Sequence, residues 1–199
     1  MTTSRLETFA DGVFAIAATL LILDVRAGSG PLGHGLLRVW PSYAAYAISF
    51  LTIGIMWVNH HAVFQQIDRV DRRFLFLNVL LLMCVAFVPF PTRLVAEHLR
   101  HEGAKAATLA YGFTMTTTAV FFNATWFYAA GRRRLLRADA DQRVVDGISR
   151  SYRPGAPLYL TATLAGLASA TVSAAMYAGI ALFYAVESSL FARGSTVEA

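Results

Sequence analysis

Polar residues in this chain gather in short clusters that separate long apolar stretches. Six such stretches can be drawn, at about 9–25, 37–60, 75–95, 105–130, 155–171 and 173–192. Each approaches or exceeds the roughly 18 apolar residues that carry an α-helix across ~30 Å of hydrocarbon. The pieces between them read as connections: "RAGSGPLGHG" by its glycines and Pro31, and "QQIDRVDRR" and "HEGAK" by their charge. "PFPT" reads as the stop of the third segment. The last zone, Gly155 to Ala192, would reach ~57 Å as a single helix, so it is read as two spans broken within "SATVSAA" at Ser169, Thr171 or Ser173. The pattern predicts an all-α membrane protein, one six-helix transmembrane domain over residues 1–199.

Composition sharpens this. Of 199 residues 56% are hydrophobic and only 15% charged, and the mean hydropathy is +0.51, too apolar for an ordinary soluble domain. The net charge of +5 would suit nucleic acid if it were spread over a surface, but seven arginines crowd between Arg132 and Arg153. With six spans and both termini cytoplasmic, Arg5, Arg69, Arg72, Arg73, those seven and Arg193 lie inside, against Arg26, Arg38, Arg93, Arg100 and Lys105 outside. That asymmetry favours cytoplasmic termini and removes the case for nucleic acid. A cleavable leader is disfavoured, since Glu7 and Asp11 stand where positive charge is expected. Cys84, the single cysteine, lies inside an apolar run and reads as a packing residue.

The first apolar stretch, "SRLETFADGVFAIAATLLILDV", keeps Asp11 in its early turns and Asp24 at its end. On a helical wheel with Ile16 at zero, Leu20 falls near +40°, Leu23 near -20° and Thr19 near -60°, which makes one branched stripe. Ala10, Asp11, Ala17 and Ala18 fall on the other side, where small residues let neighbouring helices approach. A carboxylate at membrane depth needs a partner. The candidates are Arg5, one and a half turns earlier, and Trp57, Asn59, His60 and His61 in "WVNHH", at the same depth on the second segment.

Arg5, Phe9 and Asp11 resemble the first-helix signature of the transmembrane protein 175 family, potassium channels of bacteria, archaea and animal endolysosomes. The family pattern is arginine, three residues, then Phe-Ser-Asp; Ala10 stands in the serine position. Trp57, Asn59 and His60 are similar to the family's Trp-x-Asn-His stretch. The resemblance implies a homotetramer whose first helices line a central pore, with Ile16 at its narrowest point and gate, and with Leu20 and Leu23 lining it further on. It also implies that Thr19 is a lining threonine linked to potassium preference. It places the chain among membrane lipids in a prokaryotic plasma membrane, passing monovalent cations, with no cofactor other than the permeant potassium ions. Asp24 reads equally as a cation-attracting charge at the outer pore mouth and as an ordinary helix-end carboxylate.

Rival classes fare less well. Adjacent His60 and His61 point to different helix faces, so with Asp68 they make a poor metal site, and no metal is expected. No phosphate loop, metalloprotease histidine pair or nucleophile elbow is present, which speaks against an enzyme. The alternative to a channel is a proton-coupled secondary transporter or proton leak pathway using Asp11 and the histidines, but no repeated halves or midplane helix breaks support it.

Overall fold

The computed structural model describes residues 3–25, 40–99 and 102–194, and of Asp24, Pro41 and residues 187–194 only the backbone. It is helical almost throughout. Helix α1 (Thr3–Leu20) tightens into a 3-10 turn at Leu21–Asp24. There follow α2 (Trp40–Gln65), α3 (Arg72–Phe87), α4 (Pro89–His98), α5 (Ala104–Ala130), α6 (Gln142–Tyr152), α7 (Gly155–Ala168) and α8 (Ala170–Gly194). Among the described residues, three stretches are long and apolar enough to cross a membrane by length and composition alone: Thr3–Leu23, Ser42–Gln65 and Arg72–His98. Helix α5 is long enough but rich in threonine. Thr108, Thr114 and Thr118 each return a hydroxyl hydrogen bond to the carbonyl four residues back, so their polarity is satisfied within the helix.

Two features depart from the sequence reading. The prolines of "PFPT" do not stop the third segment: Pro89 and Pro91 occupy the first turn of α4, where a missing N–H costs nothing, and Val88 keeps helical angles. The arginine-rich stretch read as a connection contains α6. Its N-terminus is capped by the Asp141 carboxylate accepting from Arg143 N–H, and its inner face carries Val145 and Tyr152. The predicted break in the last zone falls at Ser169, whose extended backbone separates α7 from α8, while Ser173 Oγ donates back to Ala162 O at 2.8 Å.

Packing forms two apolar clusters. One runs through the middle of the bundle and joins Phe14, Ile53, Leu81, Met115, Tyr159 and Tyr177. The other lies at the end where α2 meets α3 and α5 meets α6, around Leu6, Phe64, Phe74 and Trp126, whose indole N–H donates to Ser149 Oγ. The connections at that end pair as a short antiparallel bridge between Ile67 and Leu136, with Asp68 N–H on Leu135 O at 3.0 Å and Arg137 N–H on Gln66 O at 2.9 Å. Arg132 and Arg133 take left-handed backbone angles, φ 54° and 51°, to bring the chain round.

Asp71 caps α3, accepting from Phe74 N–H at 2.8 Å and from the Tyr128 hydroxyl at 2.6 Å. Burial pushes its carboxyl up, but these two hydrogen bonds, a further one from Arg73 N–H and the nearby Arg134 charge hold it below the usual carboxylate range. A folded-state pKa below the unfolded one means stabilisation that is full above about pH 4 and lost as pH falls through the depressed value. Asp71→Ala is expected to cost about 1 kcal/mol at neutral pH. In melting curves the gap between variant and parent should close in acid; a gap unchanged down to the lowest pH would refute the assignment.

Candidate functional site

Helix α1 has two unlike faces. Leu6, Ala10, Phe14, Ala17 and Leu21 recur every three or four residues and are buried against the bundle. On the opposite face Ile16 is 62% exposed, Leu20 42% and Leu23 68%, with Phe9 and Thr19 also uncovered. No side chain approaches within 4 Å of where a Cβ on Gly12 would stand. Thr19 Oγ1 donates to Ile16 O at 2.9 Å, so its oxygen lone pairs stay available on the open face. Asp24 ends the 3-10 turn, and its side chain lies outside the described residues.

Side-chain contacts fix the helix's rotation. Asp11 Oδ1 accepts from Trp57 Nε1 at 2.8 Å, and Glu7 Oε1 pairs with His61 Nδ1 at 2.8 Å, while His61 Nε2 lies 3.0 Å from Gln65 Nε2. The indole of Trp57 stacks on His61. One turn inward, the buried His60 sits edge-on to Phe14 and stacked on Phe64, and its Nε2–H donates to Asn78 Oδ1 at 2.9 Å. His60 Nδ1 and Asn78 Nδ2 have no protein partner. Asn59 turns away from this group into a cavity of about 70 Å³ between α2, α5, α7 and α8, and its carbonyl accepts from the Tyr152 hydroxyl.

The sequence-level pairing of Arg5 with Asp11 needs correction. Arg5 is exposed and makes no hydrogen bond or ion pair among the described residues. Six positions separate it from Asp11, which places the two about 120° apart around the helix. Carried back along the wheel, Arg5 falls near -20°, on the open face below Phe9. Asp11 is itself exposed in the single chain rather than buried, so its contact is worth less than a buried ion pair. Trp57→Phe, which removes only the indole N–H, is expected to cost about 1 kcal/mol, the lower end for a hydrogen bond to a charged acceptor because water reaches it. Thermal melting of the purified assembly measures this; no shift would show that the contact does not anchor α1. His61 was a candidate partner of Asp11 from sequence and pairs with Glu7 instead, while Glu7 and Asn78 were not singled out as contacts. The pairing of Glu7 with His61 had a signal in opposite polarity at matching depth on adjacent segments.

Among the described residues no group of three or more histidines, cysteines, aspartates or glutamates could hold a metal ion. The fold and site define a polytopic helical membrane protein whose first helix is anchored by polar contacts on one side and uncovered on the other. The family model described as endosomal/lysosomal potassium channel TMEM175 matches residues 5–89. A potassium channel of Chamaesiphon minutus is 43% identical over 192 residues, covering 94% of this chain and 95% of that protein. One from Streptomyces collinus is 45% identical over 186 residues, covering 90% of each. The crystal structure of a lysosomal potassium-selective channel TMEM175 homologue from Chamaesiphon minutus superposes with a TM-score of 0.85 at 41% identity, over 94% of this chain and 97% of that one. The chain belongs to the TMEM175 family, a family of ion channels and not of enzymes.

Proposed function

We propose that this chain is a subunit of a potassium-preferring cation channel, a homotetramer in the prokaryotic plasma membrane with both termini cytoplasmic. The open face of α1 lines the central pore. The observation that carries this reading is the apolar run of Ile16, Leu20 and Leu23, uncovered on a helix whose other face is buried and pinned. One copy of α1 cannot enclose an ion path, so a pore needs several copies around an axis. The potassium-channel relatives and the family membership supply the ion class.

No "TVGYG" filter is present in the sequence. Discrimination then arises at a hydrophobic neck, where an ion sheds part of its water with little to replace it. Potassium holds its water less tightly than sodium, so the neck favours potassium. The Thr19 oxygens, one helical turn from the Ile16 ring, offer partial compensation. A neck of this kind also closes by dewetting, which makes Ile16 the gate as well as the filter. Asp24 stands at the outer mouth as a cation-attracting charge whose influence fades with salt.

The test is potassium flux from liposomes holding the purified protein, with the subunit number read from the mass of the detergent-solubilised complex. A potassium gradient alone should drive flux. Flux that requires a proton gradient would favour the transporter reading, and a stable monomer would remove the pore.

A further inference from the structure

Away from α1, a surface groove of about 890 Å³ runs between the start of α3 and the end of α5. Its lining changes character along its length. At one end stand Arg72 and Arg73, both exposed, whose side chains make no hydrogen bond or ion pair among the described residues. Asp71 beside them accepts from Phe74 N–H and the Tyr128 hydroxyl and forms no ion pair with either guanidinium, so its charge offsets only part of theirs. A third guanidinium, Arg134, lies over the Tyr128 ring at 4.8 Å, and Tyr128 is itself part of the groove. Further along α3, Phe76 and Val79 line the groove and Met83 continues the same face at helical spacing, all three uncovered.

Free cations at the end of a membrane helix with an apolar face leading away from them match the two parts of a phospholipid. We propose that this groove binds a phospholipid with an anionic headgroup. The phosphate is held by Arg72 and Arg73 with Arg134 adding field, and one acyl chain lies along Phe76, Val79 and Met83. Guanidinium groups suit this because their planar forks meet phosphate oxygens two at a time. Basic pockets between membrane helices recognise anionic headgroups on this principle. Charge favours lipid over a second copy of the chain. The uncovered face of α1 carries Arg5 at the same end of the bundle, so docking that face here would set like charges together.

The test is native mass spectrometry of the full-length protein in detergent, titrated with phosphatidylglycerol or phosphatidylcholine. The parent should bind phosphatidylglycerol more tightly. At roughly fivefold in affinity per cation near the membrane surface, Arg72→Gln with Arg73→Gln should weaken phosphatidylglycerol binding by about twenty-five-fold and leave phosphatidylcholine unchanged. Arg72→Lys with Arg73→Lys should recover only part of the loss, since an ammonium restores the charge but not the two-pronged contact. Val79→Arg, which puts a charge in the tail path, should weaken both lipids at unchanged subunit number. Equal affinity for the two lipids in the parent, or full retention in the double glutamine variant, would overturn the proposal. So would a Val79→Arg protein that loses subunits, since this face would then be a contact between copies.

Discussion

Ile16→Asn should pass larger currents than the parent and discriminate less between potassium and sodium. The side chain it replaces is 62% exposed on the uncovered face of α1, between Gly12 and Leu20. In the proposed ring of four copies that position would form an apolar collar, and the barrier there would be the water an ion loses without replacement. An amide on each copy supplies hydrogen-bonding groups and keeps the collar wet. The barrier falls for both ions, and it falls further for sodium, which had more hydration to lose. Under bi-ionic conditions each tenfold loss of preference moves the reversal potential by ~59 mV, so even a severalfold loss is resolved. Leu20→Asn and Leu23→Asn should act in the same direction and more weakly. If Ile16→Asn assembles normally and leaves both current and reversal potential unchanged, the stripe does not line the pore.

Gly112→Ala should be among the most destabilising single substitutions in the bundle. A Cβ at this position of α5 would meet the Tyr177 hydroxyl and Thr163 Oγ1 head-on and come within 2.9 Å of Thr163 Cβ. Neither neighbour yields easily. The Tyr177 hydroxyl donates to Thr108 O at 3.2 Å and lies 3.3 Å from Thr163 Oγ1, and its ring is buried against Tyr111 and Tyr159. Overpacking of this kind costs about 1 to 3 kcal/mol, and displacing the tyrosine would add the loss of its hydrogen bonds. The expected result is a large fall in melting temperature and in yield of assembled protein. Tyr177→Phe in the same chain should recover part of the loss, because it removes one of the clashing atoms. Gly179→Ala is the control, since a Cβ there meets nothing within 4 Å. A Gly112→Ala protein as stable as the parent would mean that α5, α7 and α8 do not approach this closely.

Membrane spans announce themselves as runs, and the helical segments were legible for that reason. Their ends were not, because a helix leaving the hydrocarbon continues through polar residues: α1 begins at Thr3 and α2 runs on to Gln65, beyond the apolar stretches drawn for them. Helix α6 was hidden by its arginines, although Val145, Ile148 and Tyr152 at spacings of three and four carried an amphipathic signal beneath them. The stripe on α1 followed from the angular positions of Ile16, Leu20 and Leu23, and its exposure came from the packing of the other face. Trp57 stood among the candidate partners of Asp11, but the choice between it and Arg5 did not follow, since a wheel gives direction and not reach. It took the packing of α1 on α2 to bring the Trp57 indole to the carboxylate and to leave Arg5 on the other side.

The bridge between the α2–α3 and α5–α6 connections divides the subunit mechanically. Backbone hydrogen bonds at Gln66, Asp68, Leu135 and Arg137 rivet four helices into one frame at that end. Helix α1 joins that frame through side chains alone: Thr3 on the carbonyl of Asp68, Glu7 on His61 and Asp11 on Trp57. The frame is held by backbone and α1 by side chains, so turning α1 would cost side-chain contacts and no hydrogen bond of the bridge. Bringing Thr19 round to the angular position of Ile16 would take a turn of ~60° about the α1 axis, which breaks those three contacts and leaves the riveted end intact.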